Sequence, residues 1–351
     1  MRGLAAFAMG GRARAMIIAI ASSSSLLFAW VGAALVALVT LRKGVAEGAK
    51  LMLWASLPAL VLARVTGDTT VVTLIVGTGL LALVLRLTMS LALAALGSAA
   101  VALLTGIATA TVGDAMIEEF VRVFGELAAT LEERGEDAAL LRRPPTVLLL
   151  AGMLGTANGV FSFLCLTLGR YWQAALYNPG GFGDEFRALR FPPVVVIALC
   201  AAAAALIAAG GDWRSWAAMA LLPLSISGFA LLHARANFRR QGGFWLVSIY
   251  LVWLVLDEAK LALLGLVLAD AVMDFRSRWY GDDKPGRGQR DDDAKRVVGG
   301  DPDGDGDGDG DGDGDGDGDG DGKEDDKRDD ANQAERDDGA DRGRDHSDPR
   351  P

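Results

Sequence analysis

The residues best suited to bind another molecule lie in the segment 169–193, GRYWQAALYNPGGFGDEFRALRFPP, where arginines alternate with aromatic side chains. Guanidinium groups bind phosphates and carboxylates, and aromatic rings anchor a chain at the membrane–water interface. The candidate contact residues are basic, aromatic or turn-forming: Arg170, Tyr171, Trp172, Asn178, Gly180, Gly181, Arg187 and Arg190. The pattern is typical of a segment that binds lipid head groups, and the alternative is a surface that recognises a partner or an anionic ligand.

A second candidate lies within an apolar segment, where Asn158 sits inside the spacing Gly155-x-x-x-Gly159. Glycines four residues apart allow two helix backbones to approach closely in a membrane. Helix packing is therefore the first interpretation of this motif, and contact between Asn158 and a polar ligand is the alternative.

The third candidate group is acidic and basic, and lies at the end of the last apolar segment. Asp270 and Asp274 are one helical turn apart, and Asp274 is placed to pair with Arg278 at the i,i+4 spacing. This predicts a capped helix end, and proton coupling through the two carboxylates is the alternative.

The sequence lacks the common motifs of enzymes and of metal- or cofactor-binding sites. It lacks the phosphate loop G-x-x-x-x-G-K-[ST], the G-x-S-x-G nucleophile motif and the H-E-x-x-H zinc motif. Its two cysteines, Cys165 and Cys200, lie in apolar runs without CxxC spacing, and its histidines are His233 and His346. We therefore expect no enzymatic activity, no metal or cofactor, and no ATPase of its own.

The elements that must position these residues are apolar and long. About 20 apolar residues cross the hydrocarbon layer as a helix, and eight segments approach or exceed that length: 15–41, 46–65, 69–86, 88–110, 146–168, 192–210, 215–234 and 244–275. The predicted fold class is all-α, a polytopic transmembrane helix bundle.

Two of these segments are too long for one crossing, and each is interrupted. Ser22–Ser25 break the first, while Asp257, Glu258 and Lys260 place charges in the middle of the last. Both segments are therefore predicted to be helical hairpins. Pro58 and Pro223 fall inside two other spans, where they predict simple kinks or, alternatively, paired broken helices around a midplane site.

The distribution of basic residues orients the bundle. With a cytoplasmic N terminus and two hairpins, fifteen lysines and arginines of residues 1–280 fall on the inner side and seven on the outer side. The positive-inside rule favours that topology, with the tail also cytoplasmic. Between two spans, residues 114–141 have apolar residues at helical spacing, which predicts an amphipathic surface helix or, alternatively, a lid.

The composition divides the chain at about residue 280. Residues 281–351 contain 27 acidic and 12 basic residues, a net charge of −15, so that residues 1–280 carry +5 of the total of −10. Residues 303–322 are an Asp-Gly repeat without a side chain that can build a core, which predicts a disordered acidic tail. Part of the repeat fits a calcium-loop pattern, but any such repeat followed by a glutamate does so.

Four stretches carry a resemblance to a known family: segment 169–193, GGFWLVSIY at 242–250, DAVMDFRSR at 270–278 and the opening MRGLAAFAMGGRARA. Together they resemble the YybS-like family of predicted bacterial membrane proteins, over residues 1–280. The family is a domain of unknown function, and its fold is similar to the substrate-binding S components of energy-coupling-factor transporters. The resemblance implies a protein of the bacterial inner membrane and supplies no catalytic residues.

Two hypotheses of function follow from the sequence. The first is a carrier, or carrier subunit, that binds a small molecule between its helices and works with a membrane coupling protein. The second is a membrane scaffold whose segment 169–193 binds partners or lipids. The lipid bilayer is a partner in both hypotheses, and a nucleic acid in neither.

Overall fold

The computed structural model describes residues 2–112, 114–135 and 145–280, all within a compact unit that comprises Met1–Asp291. The described residues form helices joined by short connections, and they contain no strand. This confirms the all-α class predicted from the sequence. The predicted tail, with its Asp-Gly repeat and calcium-loop pattern, lies outside the described residues.

The first seven helices are α1 (Arg2–Met9), α2 (Arg12–Ser23), α3 (Ala29–Lys43), α4 (Val45–Thr66), α5 (Thr70–Thr88), α6 (Leu91–Val112) and α7 (Asp114–Glu133). The next seven are α8 (Val147–Tyr177), α9 (Gly181–Arg187), α10 (Pro193–Ala209), α11 (Trp213–Phe238), α12 (Gly243–Val255), α13 (Asp257–Met273) and α14 (Phe275–Tyr280). Each apolar segment predicted from the sequence falls on one of these helices or on a consecutive pair.

Five helices of the described chain are long and apolar enough to cross a membrane, namely α4, α5, α6, α8 and α11. They fit the predicted multi-pass membrane protein. The number is smaller than eight because α10 and α12 are shorter apolar helices and the first and last apolar segments each divide into two helices.

Both divisions occur where polar residues interrupt the apolar pattern. After α2, the Ser23 hydroxyl donates to the Ala19 carbonyl oxygen (2.6 Å) and the Ser24 hydroxyl donates to that of Ile20 (3.0 Å). Such bonds compete with the helical ladder, and α3 begins only at Ala29. Between α12 and α13, Leu256 is extended (φ −105°, ψ 122°) and Asp257 follows it at the start of α13.

The two prolines do not break their helices. Helix α4 continues through Pro58, and helix α11 continues through Pro223. The alternative of paired broken helices around a midplane site is therefore wrong for these two spans.

Helix α8 lies at the centre of the bundle, in contact with α3, α5, α6 and α11. Its glycines permit this: a Cβ atom on Gly155 would lie 2.5 Å from the Ala102 carbonyl oxygen, and one on Gly159 would lie 2.8 Å from that of Ser98. No real Cβ tolerates those distances, so the two glycines set the spacing of α6 and α8. The close approach predicted for the Gly155–Gly159 motif is confirmed.

Helix α7 is amphipathic, as predicted for 114–141, and ends at Glu133. Ile117 is buried on one side, while Arg122 bonds to Glu119 and Glu126 on the exposed side. The remainder of the predicted segment, from residue 136 onwards, lies outside the described residues.

Candidate functional site

Segment 169–193 is partly buried and partly an open surface. Of its candidate residues, the exposed ones are Tyr171, Asn178, Gly180 and Arg190. Helix α8 continues to Tyr177, so that Trp172 points into the core and is only 1% exposed. Its buried position against α3 removes it from any external ligand, whereas Tyr171 remains exposed and contacts the edge of the Phe182 ring at 6.4 Å. The predicted turn is confirmed: α8 ends at Tyr177, and Gly180 takes a left-handed conformation (φ 92°) before α9.

The three arginines of this segment each have a carboxylate partner. Arg170 Nε lies 2.8 Å from Glu185 Oε2, and Arg187 Nη2 lies 2.5 Å from Asp184 Oδ1. Arg190 Nη1 lies 2.7 Å from Oδ1 of Asp274, the residue that follows α13. The segment is therefore largely neutralised by its own contacts, which reduces its attraction for an anionic partner.

Asp274 pairs with Arg190, not with Arg278 as the i,i+4 spacing suggested. Helix α13 ends at Met273, and Asp274 adopts a left-handed conformation (φ 47°), so that Arg278 does not continue the same helix. Hydrogen bonding from Arg190 holds the pKa of the Asp274 carboxyl below its usual range. Arg278 is exposed.

Arg276, which the sequence did not single out, ties this end of the bundle together. The side chain is buried, and its Nη1 donates to the carbonyl oxygens of Arg187 (3.0 Å) and Leu189 (2.5 Å). Its Nη2 donates to the Ser227 carbonyl oxygen (3.3 Å), and its Nε lies 3.5 Å from Asp270 Oδ2. Asp270 and Arg276 are thus a buried pair that fastens segment 169–193 to α11 and α13, which is a structural role.

A cavity of about 350 Å³, here named the threonine cavity, lies between α3, α5, α6 and the first half of α8. Its polar lining consists of hydroxyl and amide side chains: Thr69, Thr70, Thr73, Thr105, Thr109 and Asn158. Its apolar lining consists of Leu26, Trp30, Leu74, Leu154, Ala157 and Phe161. None of these described lining residues is charged, so the cavity suits an uncharged molecule.

Asn158 is the most informative residue of the threonine cavity. It is 4% exposed, and its Nδ2 donates to the Thr105 hydroxyl oxygen at 2.8 Å. Its Oδ1 has no hydrogen-bond partner among the residues that the structure describes. A buried carbonyl oxygen without a partner costs about 1–3 kcal/mol, so a ligand that donates a hydrogen bond there would recover that free energy.

The neighbouring hydroxyls also favour a ligand that donates. The Thr73 hydroxyl uses its proton on the carbonyl oxygens of Thr69 (3.1 Å) and Thr70 (3.0 Å). Its remaining lone pairs can only accept. The threonine cavity can therefore bind hydroxyl or N–H groups of a small neutral molecule.

A second cavity, here named the aromatic cavity, has a volume of about 400 Å³ and lies between α9, α11, α12 and the second half of α8. Most of its wall is made of rings: Phe163, Phe182, Phe186, Phe229, His233, Tyr250 and Trp253. The rest consists of Val160, Leu164, Thr167, Gly183, Arg187, Leu222, Ser225 and Ile226. All of these rings except Phe163 contact at least one other ring of the wall.

The geometry of these rings is the usual one for aromatic packing. Phe229 stacks on Tyr250 with centroids 4.6 Å apart and meets Trp253 edge-on at 5.0 Å. His233 meets Phe186 edge-on at 5.3 Å, and its Nδ1 lies 2.8 Å from the Phe229 carbonyl oxygen. In that contact Nδ1 carries the proton and donates it to the carbonyl oxygen.

Two polar side chains of the aromatic cavity differ in whether the protein itself supplies their partner. Trp253 Nε1 is shielded from solvent and has no acceptor within the described part of the chain. Arg187, which also lines the cavity, already forms an ion pair with Asp184. The Trp253 indole N–H is therefore a donor without an acceptor among the described residues, on a side chain that lines the cavity.

Neither cavity could be located from the sequence. The motif around Asn158 was found, but its threonine neighbours come from α5 and α6, which lie more than 45 residues away along the chain. The rings of the aromatic cavity come from four helices, and only Phe182 and Phe186 belong to segment 169–193. Among the residues in the described ranges, no group of three His, Cys, Asp or Glu side chains is placed to hold a metal ion.

Comparison with known proteins gives no match to a family model, to a curated protein or to a solved structure. The function must therefore be argued from the two cavities.

Proposed function

We propose that the protein is a multi-pass protein of the bacterial inner membrane that binds a small uncharged molecule in the threonine cavity, as a carrier or as the binding subunit of one. The single observation behind this proposal is the buried Asn158 carboxamide, whose Oδ1 lacks a partner among the described residues. Native proteins seldom retain such a group without a function, and a ligand is the partner that fits its position in a cavity wall.

The topology proposed from the sequence gives the site a direction. With the N terminus and the tail in the cytoplasm, the first and last apolar segments are hairpins and the arginine-rich end of the bundle faces inwards. The threonine cavity includes Leu26 and Thr69, which follow outward-running helices, so it opens in the outer half of the membrane. A ligand would enter from outside and be released inwards by a change in helix packing.

The energy for such a cycle would come from the ligand gradient or from a membrane coupling protein, since the sequence contains no phosphate loop. The alternative, a scaffold acting through segment 169–193, is less well supported because Arg170, Arg187 and Arg190 are each paired with a carboxylate. The likeness to S components remains an expectation from the YybS-like resemblance, and it points the same way as the cavity.

The test is ligand-dependent stabilisation of the protein in lipid nanodiscs, with a library of neutral polyols, nucleosides and amides. A ligand present at 100 times its Kd stabilises the folded state by about 2.7 kcal/mol, which is readily visible as a rise in Tm. Asn158→Leu should abolish the rise while leaving the fold intact, and Thr105→Val should reduce it. Thr111→Val, which removes an exposed hydroxyl of the same helix α6, is the matched control.

Either of two results would overturn the proposal. One is a library without a single stabilising compound for the unaltered protein. The other is a compound that stabilises Asn158→Leu as strongly as the unaltered protein. Uptake of the identified compound into proteoliposomes would then distinguish a carrier from a binding subunit.

A further inference from the structure

We propose that the aromatic cavity is a second, separate site, which binds the ring of an uncharged, membrane-soluble compound that carries ring carbonyl groups, the chemical class of the quinones. This inference does not depend on the threonine cavity or on the function proposed for it. It follows from the wall, the polar atoms and the opening of the aromatic cavity.

The wall is suited to a flat ring. Phe229, Tyr250 and Trp253 already meet in stacked and edge-on arrangements at 4.6–5.0 Å, which are the geometries that an additional ring prefers. A volume of about 400 Å³ lies in the range of small-molecule sites and accommodates a substituted six-membered ring with the start of an alkyl tail.

The polar atoms select a carbonyl group. The Trp253 indole N–H can only donate, and no acceptor for it exists in the described ranges of the chain. The Ser225 hydroxyl, by contrast, already donates to the Leu221 carbonyl oxygen at 3.1 Å. A ring carbonyl that accepts from Trp253 satisfies the indole, and Tyr250, which also lines the cavity, carries a hydroxyl that can donate to a second carbonyl.

The charges exclude the main alternatives. Aromatic walls also bind organic cations, but none of the described residues that line this cavity is acidic. An anion is not favoured either, because Asp184 neutralises Arg187 at 2.5 Å. An uncharged ligand remains.

The opening of the cavity points to a ligand that is dissolved in the membrane. Helix α12, described over its whole length, has no buried residue and packs on α13 and on α11, where Tyr250 and Trp253 contact Phe229. Leu164 and Tyr250 on the cavity wall are exposed on the side surface of the bundle. In a bilayer that surface faces acyl chains, from which a quinone ring can enter sideways while its tail stays in lipid.

The experiment is a binding titration of the full chain in nanodiscs with a decyl-substituted benzoquinone, followed by quenching of tryptophan fluorescence and confirmed by equilibrium separation. The unaltered protein should bind saturably. Trp253→Phe keeps a ring but removes the N–H, and should weaken binding at least fivefold. Trp245→Phe changes a tryptophan of the same helix that does not line the cavity, and should leave the affinity unchanged.

Decylbenzene, which has the ring and the tail but lacks carbonyls, separates this site from a simple acyl-chain groove. It should compete weakly with the quinone, and its binding should be the same in Trp253→Phe and in Trp245→Phe. Tyr250→Phe provides a second variant, with an expected loss of two- to fivefold, in case Trp253→Phe fails to fold by circular dichroism.

Three outcomes would overturn the proposal: quinone binding that does not saturate, equal quinone affinity in the Trp253 and Trp245 variants, or decylbenzene that binds as tightly as the quinone. Asn158→Leu should bind the quinone normally. Failure of the threonine cavity as a ligand site is thereby distinguished from failure of the aromatic cavity.

Discussion

The threonine cavity and the aromatic cavity share helix α8 as a wall but have different chemistry. Hydroxyls and a carboxamide line the first, and six aromatic side chains and a histidine line the second. Each contains one shielded polar atom without a partner among the described residues, an acceptor on Asn158 in one case and a donor on Trp253 in the other. The comparison indicates that the missing partner, more than the shape of either cavity, defines the ligand.

The largest expected effect comes from removing the contacts that hold one end of the bundle and, with it, the aromatic cavity. Arg276→Ala leaves the buried Asp270 without its counter-ion and should lower the free energy of unfolding by about 3–5 kcal/mol. Quinone binding should be lost with it, because Arg276 anchors the segment that carries Phe182 and Phe186. Denaturant titration in detergent measures the change.

The matched control for this variant is Arg278→Ala, which removes an exposed arginine two residues away. It should change the free energy of unfolding by less than about 0.5 kcal/mol. Equal losses in the two variants would show that Arg276 does not fasten the bundle.

The next effect is confined to the other cavity. Gly155→Ala places a methyl group 2.5 Å from the Ala102 carbonyl oxygen and forces α6 away from α8, at a cost of about 1–3 kcal/mol. The threonine cavity lies between these two helices, so its ligand response should fall while quinone binding is retained. Thermal unfolding with each ligand measures both effects.

Gly265→Ala is the control for that substitution, because a Cβ at Gly265 in α13 meets no atom within 4 Å. It should stabilise the helix by about 0.5–1 kcal/mol. The interpretation fails if the two alanine substitutions change stability in the same direction.

A crossed pair of substitutions sharpens the comparison. Asn158→Leu replaces a buried carboxamide by an apolar side chain of similar size. It loses the hydrogen bond to Thr105 but also removes a buried acceptor that has no partner among the described residues. Because these effects oppose each other, the free energy of unfolding without ligand should change by less than about 1.5 kcal/mol. Trp253→Phe should likewise leave the ligand-free protein folded. Each variant should lose only its own ligand, and loss of both ligands in either variant would contradict two separate sites.

The smallest effect is a pH dependence at the arginine-rich end. The pKa of Asp274 is lowered by Arg190, so the pair stabilises the folded state above the unfolded pKa of an aspartate, about 3.9, and loses that contribution as the pH falls through the lower folded value. The pair is half-exposed, and its contribution is about 0.2–1 kcal/mol. The Tm of Asp274→Asn should lie below that of the unaltered protein at pH 7, and the difference should shrink as the pH falls below the unfolded pKa. A constant difference would exclude the pair as its cause.

The sequence predicted the helices well because they depend on local pattern. Apolar runs gave the five spans, serines and charges marked both interruptions, and Gly155 and Gly159 identified the close approach of α8 to α6. These features are encoded within a few consecutive turns. Five of the eight segments form long spans, because residues 192–210 form the 17-residue helix α10 and the first and last segments each divide into two helices.

The sequence did not predict side-chain positions that depend on which face of a helix points inwards, or on contacts with residues far along the chain. Trp172 is a tryptophan next to charged residues, as is typical of the membrane–water interface, but it lies on the buried face of α8. Asp274 met Arg190 because α13 ends one residue before it, which the i,i+4 rule does not anticipate. The aromatic cavity joins residues up to 93 positions apart, from Val160 to Trp253, and no local pattern signals it.

Helix α8 has 31 residues, or about 47 Å at 1.5 Å per residue, and it lines both cavities. Any shift or rotation that carries Asn158 away from Thr105 also moves Phe163 and Leu164 relative to the rings of α11 and α12. Occupation of one site would then alter the affinity of the other, and thermodynamic linkage requires the influence to be equal in both directions.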